Sequence, residues 1–185
     1  MTGAPPWPWA APPESGGFGV YVHVPFCTRR CDYCAFATWT DRFSLAGDYV
    51  NACVAEVRSA RSAGAMPPAT SVFFGGGTPS LLEPDAIGSL LSEIELETGA
   101  EVTVECNPDT VDEAKLRGYR SVGVNRLSFG VQSLRVLKKT QRSLSRARTV
   151  DTMARLGEIL STLGSTESAI HISARTMARN VPGTR

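Results

Sequence analysis

The 185-residue sequence lacks any run of about 18 apolar residues, the length that a membrane-spanning helix requires. Residues 1–17 also lack the basic start and the continuous apolar stretch of a secretory signal, since they are rich in Pro, Gly and Ala. We therefore expect a cytoplasmic protein with no membrane span. Residues 1–17 are predicted to form a disordered leader.

Aromatic residues are absent from residues 135–185, where Lys and Arg outnumber Asp and Glu by 10 to 3; residues 1–134 contain 9 basic and 15 acidic residues. A segment of this composition cannot readily bury aromatic area, and it contains no clear strand. One interpretation is a basic extension that binds nucleic acid. The interpretation we favour is an aberrant basic tail translated out of frame from a GC-rich gene, so nucleic acid is not expected as a partner.

Cysteine is scarce, yet three of the five cysteines lie in the eight residues "CTRRCDYC" as Cys27, Cys31 and Cys34. A structural zinc site normally needs four ligands, and the chain has no second C-x2-C pair. A thioredoxin-like pair would leave Cys27 unexplained. Three thiolates suit an iron–sulfur cluster in which one iron stays open for a substrate. For His23, a packed or hydrogen-bonded role is favoured over that of a fourth ligand.

Apolar periodicity predicts four strands separated by helices. The strands are predicted in "GVYVHV", "SVFF", "EVTVE" and "RLSFG", and the helices in "DYVNACVAEVRSARS", "PDAIGSLLSEIELETG", which closes at Gly99, and "VDEAKLRGYRSVG". Connections of a dozen or more residues between strands require a parallel sheet with helices packed on it, which is an α/β fold. Cys53, on the apolar stripe of the first helix, and Cys106, after the third strand, are predicted to pack in the core.

Every unusual motif follows the carboxyl end of a predicted strand. The thiols follow the first strand, "GGGTPS" the second, "ECNPD" the third and "GVQS" the fourth. Loops that leave the carboxyl ends of parallel strands form the active sites of such sheets and barrels. We therefore expect the four motifs to converge on one rim.

The C-x3-C-x2-C spacing after a first strand, with aromatic Tyr33 just before the last cysteine, resembles the radical S-adenosylmethionine (SAM) superfamily. The resemblance implies a partial parallel (βα) barrel in which Cys27, Cys31 and Cys34 bind a [4Fe-4S] cluster. In that family the open iron chelates the amino and carboxylate groups of SAM, and the reduced cluster cleaves SAM to a 5′-deoxyadenosyl radical.

Four motifs, "YVHVPFCTRRCDYCAF", "FFGGGTPS", "VECNPD" and "RLSFGVQS", are similar to the branch that contains oxygen-independent coproporphyrinogen III dehydrogenase and the haem chaperones of the HemW type. This similarity covers about Gly19 to Leu134. The similarity assigns no catalytic residue. It implies a set of cofactor-binding residues, which are Tyr21, Tyr33, Gly75, Gly76, Gly77, Thr78, Glu105 and Gln132. Within the set, Glu105 would hold the ribose hydroxyls of SAM, and Gln132 would face a second SAM or the substrate.

One substitution distinguishes the two members of this branch. The dehydrogenase pattern continues as C-x2-C-x-C, whereas this chain has Phe36 at the last position. The resemblance therefore favours a haem chaperone, with haem or porphyrin and a haem-accepting protein as partners. The alternative is a true porphyrinogen dehydrogenase.

The resemblance divides the chain into a leader (1–17), the N-terminal part of a radical SAM domain (18–134) and the basic tail (135–185). In HemW-type chains a later domain carries a His-Asn-x-x-Tyr-Trp haem motif, which is absent from this sequence. We expect a barrel truncated after about four strands. Its fourth strand would then have an unpaired edge, which favours aggregation.

Overall fold

Five parallel strands, hydrogen-bonded to one another in chain order, form a single sheet in the computed structural model, which describes residues 16–31, 34–131 and 170–174. The strands are β1 (Phe18–Val24), β2 (Ala69–Gly76), β3 (Leu96–Cys106), β4 (Arg126–Val131) and β5 (Ile170–Ala174). The helices of the described part are α1 (Ala46–Ser62), α2 (Pro84–Leu91) and α3 (Glu113–Ser121), with short 3-10 turns at Phe43–Leu45, Pro79–Leu81 and Pro108–Thr110. This arrangement confirms the predicted α/β class. None of these helices is long and apolar enough to cross a membrane.

Two of the helices begin at residues that favour the start of a helix. Pro84 occupies the first turn of α2, where a missing N–H costs nothing. The Asp112 carboxylate caps α3 by accepting the backbone N–H of Lys115. Each helix carries the chain back to the start of the next strand, so that β1 to β4 run in the same direction.

The second predicted helix is too long by about two turns. It ends at Leu91, and residues from Leu96 onwards belong to β3. Gly99, predicted to close the helix, lies inside β3 with a φ of +81°, where the pairing with β2 shifts between Ala69 and Ser71. Hydrogen bonding to β2 thus overrides helical periodicity, and the glycine accommodates the irregularity.

The hydrophobic core lies between the sheet and the helices. Val24, Phe74, Val104 and Phe129, one from each of β1 to β4, are fully buried. The apolar faces of the helices cover them, including fully buried Tyr119 of α3. Strands buried in this way follow the pattern of parallel sheets covered by helices. They form a rigid base for the loops at their carboxyl ends.

The fifth strand contradicts the expectation that residues 135–185 contain no strand. Ile170–Ala174 pairs in parallel with β4, with Ser128 opposite His171. The absence of aromatic residues did not prevent pairing, because "IHISA" contains β-branched residues and the ladder needs only backbone N–H and C=O groups. The edge of β4 predicted to be unpaired is therefore occupied.

Candidate cofactor site

The loops after β1 and β2 are joined directly at the carboxyl edge of the sheet. We call residues 27–39 the cysteine loop and residues 75–80 the glycine loop. The backbone N–H of Gly77 donates to the carbonyl of Val24 over 2.7 Å, and that of Thr78 donates to Phe26 over 2.7 Å. The predicted convergence of the thiols and the glycines on one rim is therefore confirmed.

The cysteine loop is closed at its base by backbone hydrogen bonds. Cys27 N–H donates to the carbonyl of Trp39 over 3.0 Å, and Trp39 N–H donates to Pro25 over 2.8 Å. Within the loop, the Cys34 N–H donates to the carbonyl of Cys31 over 3.0 Å. This closure holds the thiol-bearing segment at the end of β1.

The three thiols of the loop are unpaired with one another. Cys31 is exposed, and Cys27 and Cys34 are half-buried. Over residues 16–31, 34–131 and 170–174, no three His, Cys, Asp or Glu side chains form a group that could hold a metal ion. The assignment of the thiols as a ligand set therefore stays a prediction. Tyr33 lies outside the described residues, and Phe36 is exposed.

The glycine loop packs against the first thiol. A Cβ at Gly77 would lie 2.6 Å from the carbonyl oxygen of Phe26 and 3.0 Å from the Sγ of Cys27. Thr78 Oγ1 donates to the same Sγ over 3.8 Å. Glycine is thus required where the two loops meet, and the residues fit a cluster on Cys27 beside a ligand on the glycine loop.

Tyr21 and Glu105 flank the glycine loop. The Tyr21 ring stacks on Phe73 with centroids 6.1 Å apart, and a Cβ at Gly75 would come within 3.0 Å of it. Glu105 is half-buried near the end of β3. Partial burial and then the negative charge of Glu105 raise the pKa of Tyr21, so the two side chains share one electrostatic environment.

The remaining predictions concern Gln132, the two cysteines outside the loop, and His23. Gln132 lies outside the described residues. Cys106 is buried, as predicted, and Cys53 packs against the core from α1. His23 is hydrogen-bonded through both ring nitrogens, which agrees with the favoured interpretation.

Sequence analysis missed a polar network that joins the loops after β2 and β3. The fully buried Ser80 hydroxyl accepts the backbone N–H of Asn107 over 3.0 Å and shares a hydrogen bond with the Thr110 hydroxyl. Ser80 belongs to the quoted "GGGTPS", so the motif contained the signal. Sequence analysis also missed Tyr49, whose hydroxyl donates to the backbone carbonyl of His23. No local pattern indicates this contact, because it joins α1 to β1 across 26 residues.

Comparison with known proteins identifies the superfamily of the chain. The sequence profile of the radical SAM superfamily matches residues 21–172. The chain belongs to the radical SAM superfamily. The match extends past Leu134, to residue 172, and the division of the chain at residue 134 stays a prediction.

Within this superfamily the chain is similar to haem chaperones and their relatives. It is 38% identical over 151 residues to the heme chaperone HemW of Mycobacterium tuberculosis, covering 76% of this chain and 38% of that protein. It is 39% identical over 136 residues to mouse "Radical S-adenosyl methionine domain-containing protein 1, mitochondrial", covering 71% of this chain and 30% of the relative.

A solved structure supports the same fold. Escherichia coli HemN, described as coproporphyrinogen III oxidase and a radical SAM enzyme, superposes with a TM-score of 0.66 at 25% identity. The superposition covers 84% of this chain and 37% of HemN. The chain thus spans between 30% and 38% of the length of these three proteins.

Proposed function

We propose that the chain binds a [4Fe-4S] cluster through Cys27, Cys31 and Cys34 and binds SAM on the adjoining glycine loop. The observation that carries the proposal is the direct packing of Gly77 and Thr78 on the Cys27 thiol. When bound, the cluster supplies the electron that cleaves SAM reductively. The chain's residues hold the two groups side by side.

Each part of the rim has a distinct task in this proposal. The glycines let the backbone of the loop approach SAM closely, because no Cβ stands between them. Glu105 accepts hydrogen bonds from the ribose hydroxyls, and Tyr21 covers Gly75 beside it. Tyr33 and Gln132 complete the set of proposed contacts.

The proposed biological role is that of a HemW-type haem chaperone in the cytoplasm, which binds haem and transfers it to an acceptor protein. Two observations favour this role over that of a dehydrogenase: the similarity to HemW proteins and Phe36 in place of a fourth loop cysteine. Because the His-Asn-x-x-Tyr-Trp motif is absent from the chain, we expect its haem binding to be weak.

The cluster is tested by anaerobic reconstitution with iron and sulfide. We expect about four iron and four sulfide per chain, and loss of both in Cys31→Ala, because thiolates hold the cluster. Cys53→Ala is the matched control, since Cys53 belongs to α1 and packs against the core, and it should keep the cluster. Stoichiometric zinc without sulfide would contradict the proposal.

The choice between chaperone and dehydrogenase needs a separate assay. The reconstituted protein is incubated anaerobically with coproporphyrinogen III, SAM and a reductant, and haem is titrated in parallel while the Soret band is recorded. We expect a haem-dependent Soret band and unchanged coproporphyrinogen. Formation of protoporphyrinogen would establish the enzyme instead.

A further inference from the structure

The imidazole of His23 connects β1 to Ala37, near the end of the cysteine loop. Its Nε2 lies 2.9 Å from the carbonyl oxygen of Ala37, and its Nδ1 lies 3.1 Å from the hydroxyl of Tyr21. Because a carbonyl can only accept, Nε2 must donate, and in the neutral ring Nδ1 accepts from Tyr21. Both nitrogens are engaged, so neither is available as a cluster ligand.

The same ring fills the space against the glycine loop. A Cβ at Gly76 would lie 2.6 Å from both Cε1 and Nδ1 of His23, and Gly76 has a φ of +106°. A side chain at residue 76 would therefore be strained and would displace the ring. The imidazole and the bare glycine backbone are complementary surfaces.

The backbone of His23 is held as well. The Tyr49 hydroxyl of α1 donates to its carbonyl oxygen. Tyr49 also packs edge-on against Phe26, with ring centroids 5.5 Å apart, just before the first thiol. The ring of His23 therefore projects from a fixed point of β1 towards both loops.

We propose that His23 is a positioning residue that fixes the cysteine loop and the glycine loop relative to each other. This inference rests on the proposed function, in which one loop holds the cluster and the other holds SAM. Losing the imidazole would leave both loops present but misaligned. The cluster would still assemble, whereas SAM would bind weakly beside it.

The test compares His23→Leu, which loses both hydrogen bonds, with His23→Gln, whose amide can still donate towards Ala37. Thr70→Val is the control, because it removes a hydrogen bond to β1 at the opposite end, at the carbonyl of Phe18. In each reconstituted variant, iron and sulfide are counted and the dissociation constant of SAM is measured by equilibrium dialysis. The electron paramagnetic resonance spectrum of the reduced cluster is recorded with and without SAM.

We expect His23→Leu to keep its cluster, to bind SAM about 10- to 100-fold more weakly and to lose the SAM-dependent spectral change. His23→Gln should recover part of both, and Thr70→Val should resemble the wild type. Where the wild type binds SAM, equally tight binding and the same spectral change in His23→Leu would overturn the inference. Loss of the cluster in that variant would also overturn it, by assigning His23 to the folding of the cysteine loop.

Hydrogen exchange separates this inference from the proposed function. Amides of residues 34–39 and 75–78 should exchange faster in His23→Leu than in the wild type, whether or not SAM binds. If they do, and the wild type shows no SAM-dependent change, the proposed function fails while the positioning role stands. Unchanged exchange in both segments would contradict the positioning role.

Discussion

Glu105 illustrates how a single charge is placed by the end of a strand. It is half-buried on β3 opposite Ser128 of β4, and its charge acts on Tyr21. A carboxylate in this position can accept two hydroxyl groups of one ribose. In the proposed function its contribution is to ligand binding rather than to the fold, since it lies near the end of β3.

Replacing Glu105 with Ala should therefore weaken SAM binding by about 1 to 3 kcal/mol, the cost of removing a charged acceptor from buried partners. Equilibrium dialysis measures the affinity, and the absorption spectrum of the cluster should stay unchanged. Glu97→Ala, at the exposed amino end of the same strand, is the control and should bind SAM normally. Loss of the cluster in Glu105→Ala would assign the residue a structural role instead.

Cys106 differs from the loop cysteines in its surroundings. It is 4% exposed, and burial is the main cause that raises the pKa of its thiol to about 12. Only a thiolate reacts rapidly with an alkylating agent, and the raised pKa keeps the group protonated at pH 8.

In the reduced native protein without a cluster, iodoacetamide at pH 8 should modify exposed Cys31 and leave Cys106 unmodified. Both should react in urea. Peptide mass spectrometry measures each site separately. Equal rates for the two residues under native conditions would show that β3 opens readily.

At the scale of the element, the rim depends on how neighbouring loops are joined. The 3-10 turns Pro79–Leu81 and Pro108–Thr110 meet through the Ser80 hydroxyl, which is fully buried. Its hydrogen bonds to Asn107 and Thr110 fix the loop after β2 against the loop after β3. The proposed glycine contacts for SAM lie in the first of these loops, and the proposed ribose contact, Glu105, lies at the end of β3 just before the second.

Ser80→Ala should lower the free energy of unfolding by about 1 to 3 kcal/mol, because it removes a fully buried hydroxyl and leaves the N–H of half-buried Asn107 without that partner. Urea denaturation measures the change. Ser89→Ala, on the exposed face of α2, should change stability by only about 0.5 kcal/mol or less. Equal effects of the two substitutions would mean that water replaces the Ser80 hydroxyl.

The glycine loop makes a second prediction at this scale. Gly77→Ala should destabilise the protein by about 1 to 3 kcal/mol, since its Cβ would press on the carbonyls of Phe26 and Val24, which are backbone atoms. Gly47→Ala, in the first turn of α1 with open space around it, should be neutral or stabilising. Equal urea midpoints for the two variants would show that the glycine loop can move away from residues 24–26 without loss of stability.

For the whole molecule, the pairing of β5 with β4 extends the sheet beyond its fourth strand. Five residues of the basic segment supply backbone partners to β4 along Leu127 to Val131. Without them, β4 would present the unpaired edge that promotes aggregation. The out-of-frame origin of residues 135–185 stays a prediction, and sequencing the encoding DNA beyond Leu134 in the other two frames tests it.

Ile172→Pro should destabilise the protein by about 3 kcal/mol and increase aggregation, because proline cannot donate to the ladder and clashes within it. Ile172→Val keeps the backbone groups and is the control. Urea denaturation and light scattering measure the two effects. If both variants behave as the wild type does, β5 is not needed to complete the sheet.

Sequence alone was sufficient for the features that depend on local periodicity and residue chemistry. Alternation and helical spacing predicted β1 to β4 and their crossovers, because burial on a sheet or a helix imposes those periods directly. The spacing of Cys27, Cys31 and Cys34, followed by "GGGTPS", predicted the family, which the superfamily profile confirmed. Parallel topology then required the motifs to share one rim.

Only the tertiary structure decided the features that depend on contacts between distant segments. The end of α2 at Leu91 follows from β3 pairing with β2, and the inclusion of Ile170–Ala174 follows from the free edge of β4. The contact of Gly76 with the His23 ring and the burial of Ser80 also join segments far apart in the chain. Local patterns could not predict these contacts, because the energies that fix them arise only when the loops meet.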